Sequence, residues 1–225
     1  MNSNNYFYKM NHRVDFDNIA ELEEYAANKD ISNINVFLGF NFPNDDFINN
    51  IDIFKKIRYL TCYGCNNITK IPQELINLQY LFCRHTRISE IPKELVNLQY
   101  LDCQMTKITE IPKELINLQE LNCSSTRITE IPKELVNLQR LIIWSTKVIE
   151  IPKEFINLQV LHCNDTMIKR IPKELVNLQE LICYRTRIKT IPPTLNLLVY
   201  IDSNFITLRE HFENIEEYKN ELKII

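Results

Sequence analysis

The chain has 225 residues, of which 45% are hydrophobic and 24% charged, the make-up of a folded globular protein long enough to bury a core. Its 26 basic and 29 acidic side chains leave a net charge of −3, which argues against a general nucleic-acid binder, since such a protein needs a net basic face. Only two glycines occur, Gly39 and Gly64, so glycine-rich phosphate loops and dinucleotide fingerprints are excluded.

Residues 1–12 hold no apolar run, so no signal peptide is read there, and they are expected to be mobile. No stretch of about 18 apolar residues occurs, so neither a membrane span nor a membrane partner is expected. Asp17 is placed to cap a helix that runs to about Asn28, with Ile19, Leu22 and Ala26 on one face. Ile34 to Leu38 reads as a strand, a degenerate first coil. Pro43 to Asn50 is polar and reads as a loop, and Asn49 to Ile57 reads as a short helix before a strand at Tyr59 to Tyr63.

From Ile71 to Thr190 a period of twenty holds without slippage. The block from Ile91 reads IPKELVNLQYLDCQMTKITE. Its L-x-C-x-x-T-x-I segment alternates apolar and variable residues, a strand pattern that points Leu101 and Cys103 inward. Pro92 fixes its own φ and lacks an amide donor, which suits the start of a short return turn carrying Leu95 and Leu98 on one side. One block cannot bury these residues alone; stacked blocks make a continuous core. The coil opened by Tyr59 has one extra residue, because Cys65-Asn66-Asn67-Ile68 replaces T-x-I. After the repeats, Thr207 to Glu210 reads as a capping box. Leu208, Phe212, Ile215, Tyr218 and Leu222 follow at helical spacing, which predicts a capping helix over 208–222. The chain thus divides into an N-terminal cap (1–57), repeats (58–206) and a C-terminal capping helix (207–225).

The pattern L-x-x-L-x-C-x-x-T-x-I-x-x-I-P resembles the leucine-rich-repeat family, with Cys for the usual second strand Leu and Thr for the usual Asn. The twenty-residue length is similar to the short repeats of some bacterial effectors and of repeat proteins in giant DNA viruses of amoebae. The resemblance implies an α/β solenoid: a leucine-rich-repeat horseshoe with a parallel concave β-sheet, convex 3-10 or short turns, and helical caps at both ends. It also implies a role in binding other proteins. The family Asn both donates and accepts across coils, whereas Thr86, Thr106, Thr126, Thr146, Thr166 and Thr186 bring one hydroxyl donor each. A threonine ladder bonding a carbonyl of a neighbouring coil is expected.

Five of the seven cysteines, Cys83, Cys103, Cys123, Cys163 and Cys183, share one slot. That points to packed, reduced core thiols and a cytoplasmic compartment (the host cytoplasm, if the chain is viral), not to a disulfide framework. Cys62-Tyr63-Gly64-Cys65 is a lone C-x-x-C whose cysteines fall in the inward strand slot and the threonine slot, so no metal or cofactor is assigned to it. The histidines, at 12, 85, 162 and 211, lack ligand spacing, and no catalytic constellation is visible. The chain reads as a non-enzyme.

Scaffold slots hardly vary between blocks, whereas outward strand slots vary widely. One outward slot carries Phe82, Asp102, Ile142, His162 and Ile182, and the next carries Arg84, Gln104, Trp144 and Tyr184. A third slot, at the sheet edge, carries His85, Asp165 and Arg185. Large apolar groups on a solvent-facing sheet mark a partner site, and Trp, Tyr and Arg are the usual anchors. These twelve residues are the candidate contacts of an unknown protein partner on the concave face, centred on Trp144. The alternative is a structural or homo-oligomeric protein that pairs through the same face.

Overall fold

The computed structural model describes residues 13–189, 191–192, 198–201 and 204–207. The segments expected to be mobile (1–12) and to form a capping helix (208–222) lie outside the described residues. Among these residues eleven strands form one open sheet in sequence order, the sheet of an α/β solenoid. They are β1 (Arg13–Phe16), β2 (Asn35–Leu38), β3 (Tyr59–Thr61), β4 (Tyr80–Phe82), β5 (Tyr100–Asp102), β6 (Glu120–Asn122), β7 (Arg140–Ile142), β8 (Val160–His162), β9 (Glu180–Ile182), β10 (Leu198–Ile201) and β11 (Asn204–Thr207). Neighbours from β1 to β10 pair in parallel, and β11 returns antiparallel to β10. Register follows the repeat: Leu60 pairs with Leu81, and then Leu101, Leu121, Leu141, Leu161 and Leu181 follow at intervals of twenty.

Each coil contributes the same inward set. In the coil of β4 these are Leu81, Cys83, Ile88, Ile91, Leu95 and Leu98, all buried. The three-residue strand continues its parallel bonding through the Cys83 and His85 amides to the Asp102 and Gln104 carbonyls. The chain then turns sharply. His85, Met105, Ser125, Ser145, Asp165 and Arg185 all take positive φ, between 53° and 56°, in the slot where the first full coil has Gly64 at 72°. The left-handed region is costly for a residue with a Cβ, so closure of the coil imposes this conformation at every step.

The threonine ladder differs from expectation. Thr106 Oγ1 donates to the Cys103 carbonyl of its own coil at 2.7 Å, and the other threonines repeat the bond. A single hydroxyl on a short side chain closes the bend locally and does not span to the next coil. The coil-to-coil ladder lies on the return side. There Asn97 Nδ2 donates to the Ile76 carbonyl at 2.8 Å, and Asn77, Asn117, Asn137, Asn157 and Asn177 do the same in their coils. Between Pro92 and Leu98 the return consists of two successive turns, closed by Leu95 N to Pro92 O (3.3 Å) and Leu98 N to Leu95 O (3.0 Å).

At the N-terminus, α1 (Ile19–Asn28) is capped by Asn18, one residue after the expected Asp17. Asn18 Oδ1 accepts from Glu21 N while Glu21 Oε2 accepts from Asp17 N, a reciprocal cap. Leu22 is fully buried, with Ile19 and Ala26 packed beside the core. The strand predicted at residues 34–38 is the second of the sheet, because Arg13–Phe16 precedes it and buries Phe16. The loop expected over Pro43 to Asn50 contains a helix, α2 (Asn44–Asn49), followed by α3 (Ile51–Phe54). One apolar residue anchors α2: Phe47 meets Phe54 edge-on at 4.7 Å, and Phe54 meets Phe42 at 6.2 Å.

Candidate functional site: the outward face of the sheet

Three rows of side chains point away from the core along the sheet. Two of them are legible in the sequence; the first is not, and it is made by the opening residue of each strand from β3 to β9: Tyr59, Tyr80, Tyr100, Glu120, Arg140, Val160 and Glu180. The alternation that identifies the other rows also reaches this slot, and its recurring tyrosines are the signal. Tyr59 and Tyr80 stack at 4.7 Å between centroids, and Tyr80 and Tyr100 at 6.3 Å. Tyr100 also lies 4.6 Å from Phe82.

That packing corrects two expectations. Phe82, expected to face solvent, is only 2% exposed, and Asp102 only 3%. They form the floor of the face and not its surface. Burial pushes the Asp102 carboxyl up, opposed by the Gln104 amide and by the charges of Arg84 and His85. The folded protein therefore holds this proton to higher pH than the unfolded chain does. Its contribution to stability is full below the ordinary carboxylate range and is lost as pH rises through the folded value. Asp102→Asn, which copies Asn122 of the next coil, is expected to raise the melting temperature at pH 7 and to lose that advantage below about pH 4. Thermal melts of both proteins across pH check it.

The remaining candidates fall into two groups. Near the N-terminal end, the Arg84 guanidinium sits 4.4 Å from the Tyr63 ring centroid, with the His85 ring 5.5 Å from the same ring on its other contact. Gln104 is half-buried and its Oε1 accepts from Asn122 Nδ2. Toward the C-terminal end, Ile142, His162 and Ile182 sit opposite one another on β7, β8 and β9. In the row beyond them, Trp144 and Tyr184 are half-buried on either side of the buried Asn164. His162 Nε2 meets Glu180 Oε1 at 2.6 Å. Burial lowers the His162 pKa and Glu180 opposes that shift. Arg185 and Asp165, both in left-handed turn positions, form a 3.4 Å ion pair at the rim.

A family model described as a leucine-rich repeat region matches residues 40–142, a little under half of the chain. The repeats are leucine-rich repeats. Solved structures agree on the fold. A leucine-rich-repeat protein of Leptospira interrogans superposes with a TM-score of 0.55 at 21% identity, covering 85% of this chain and 64% of its own. The ectodomain of a plant membrane receptor kinase from Arabidopsis thaliana, in complex with Casparian strip integrity factor 2, gives 0.59 at 23% identity, covering 76% of this chain and 24% of its own. The functional domain of InlJ from Listeria monocytogenes, which includes a cysteine ladder, gives 0.52 at 19%, covering 72% and 47%. The chain thus spans under two-thirds of the length of each. No match was found among curated proteins.

In these leucine-rich repeats the inward column runs Cys62, Cys83, Cys103, Cys123, Ile143, Cys163 and Cys183, all buried. Burial raises the thiols of this column at Cys62, Cys83, Cys103, Cys123 and Cys163, so the thiolate that would attack or ligate is disfavoured. Cys65, in the threonine slot, donates from Sγ to the Leu38 and Gly39 carbonyls, and burial pushes it up to about 11. Among the described residues no helix is long and apolar enough to cross a membrane.

Proposed function

We propose that this leucine-rich-repeat chain is a non-catalytic protein-binding module whose partner lies on the outward, concave face of the sheet. The observation that carries this reading is the contrast within each coil. Beneath the sheet the Leu, Cys and Ile slots hold their type with few exceptions, whereas the two outward rows that carry Phe82 and Arg84 change from coil to coil. Ile142 and Trp144 on one coil, and Ile182 and Tyr184 two coils on, flank the coil of His162, and all four are half-buried. Side chains that are already ordered lose little entropy on binding, which favours them as anchors. Arg84, His85, Gln104, Asp165 and Arg185 supply polar contacts around them, over the floor of Phe82 and Asp102. Seven free cysteines suit a reducing, cytoplasmic setting.

The test uses wild type and Trp144→Ala/Tyr184→Ala as paired baits in a host lysate, with captured proteins quantified by mass spectrometry. Each truncated anchor is expected to cost about 2 kcal/mol, so partners held by this face are lost from the variant. Equal capture of every partner by both baits would sink the proposal.

A further inference from the structure

The most exposed apolar side chains do not lie on the sheet. Among the described residues eleven large hydrophobics are exposed, and six of them form one column: Ile76, Val96, Ile116, Val136, Ile156 and Val176, at 41–60% exposure. The column occupies the return side of every full coil, and it is always Ile or Val. Its flanking slots are polar. Each of these residues precedes the asparagine of the coil-to-coil ladder, and from Ile76 to Ile156 its own carbonyl accepts the next asparagine's bond. The stripe is therefore held rigid, over about 24 Å at a strand spacing of ~4.8 Å. It stands as a ridge between two grooves, one lined by Ile, Pro, Lys and Glu slots and the other by Asn and Gln slots.

We infer that this ridge is a docking surface for a second copy of the same chain, with the two solenoids side by side and parallel. Three features point to that occupant. A ridge of branched side chains at fixed pitch matches another of the same pitch along its whole length, and a second copy supplies it by construction. A rigid apolar patch of a few hundred Å² is the size that marks an association site on a soluble protein. The third feature is charge, and it sets the direction. The charged slots, Lys93 and Glu94 and their equivalents, all lie on one side of the ridge, while the neutral slots, Asn97 and Gln99 and their equivalents, lie on the other. A two-fold axis running along the ridge lays each copy's charged side against its partner's amides. An axis across the ridge would instead stack lysine on lysine and glutamate on glutamate. The parallel arrangement avoids that repulsion and lets the amides bond the carboxylates. An interface this narrow falls at the weak end of stable association, so the dimer forms reversibly with concentration.

Sedimentation of the full chain from about 1 to about 500 μM is the test. Wild type is expected to pass from monomer to dimer in that range. Ile116→Lys/Ile156→Lys is expected to raise the dissociation constant at least about 100-fold with an unchanged melt, whereas Trp144→Ala/Tyr184→Ala dimerises as wild type does. The last variant separates this ridge from the sheet-face site. In the parallel dimer each ridge residue also lies beside its own copy, so oxidised Val96→Cys is expected to link to itself. This second readout stands even where the double lysine variant fails to fold. A wild-type monomer throughout overturns the inference, as does dimerisation of a folded lysine variant at wild-type strength. So does a Val96→Cys that links only to Ile156→Cys.

Discussion

Phe155→Ala is expected to cost about 3–5 kcal/mol of folding stability, a loss of roughly 10 °C in melting temperature for a chain of this size. Phe155 is fully buried. It stands in a slot that holds leucine in the neighbouring coils, at Leu135 and Leu175, and all three are fully buried in one core. Alanine removes the ring and leaves a cavity that those flanking layers cannot close, because the asparagine ladder fixes coil spacing on the return side. In a stack where each coil touches only its neighbours, the defect weakens two interfaces at once. Phe155→Leu restores the residue of the neighbouring coils and is expected to cost less than about 1.5 kcal/mol. Denaturant melts of the three proteins give the comparison. A loss below about 1 kcal/mol for the alanine variant would show that the layers can collapse onto the void.

Ile143→Asp is expected to prevent the central coils from folding. Between Cys62 and Cys183, Ile143 is the one residue of the inward column that is not a cysteine, and it has no exposed surface. Its neighbours in the column are Cys123 and Cys163, both fully buried and both held as neutral thiols. Among the described residues no lysine or arginine is buried to pair a carboxylate there, so the aspartate must either take up a proton or stay charged in an apolar interior. Either course costs about 4 kcal/mol or more, close to the whole stability of an ordinary domain. Ile143→Cys extends the column unbroken and removes only apolar bulk, at about 1–2 kcal/mol. Circular dichroism and thermal melts distinguish the two, and an aspartate variant that folds with a wild-type melt would refute the account of a dry, uncharged column.

The period of twenty made most of the fold legible. It set the strand register, the inward Leu and Cys slots and the return turn, because each is a translation of the same local pattern. What translation did not reveal was exposure. Phe82 alternates as an outward residue should, yet Tyr100 covers it from the slot just before the L-x-C pattern. The left-handed slot was equally hidden. His85, Met105, Ser125 and Asp165 share no chemistry, since coil closure and not local preference sets their φ, and only Gly64 hints at it. Constancy misleads in the same way: Leu95 and Val96 hold their types equally well along the stack, one at the core and the other in solvent. Outside the repeat, α2 is hidden because four polar residues and an exposed Ile48 around a single buried Phe47 look like a loop until that ring has Phe54 to pack on.

The asparagine bond that reaches twenty-one residues back is the same from Asn97 to Asn177, so none of these bonds carries information about which neighbour its coil must have. Gain or loss of one whole block leaves each remaining bond with an equivalent partner, whereas gain or loss of a few residues leaves one coil without any. Length in this molecule is therefore counted in units of one coil, and the solenoid is a ruler whose span can be reset without redesigning its material.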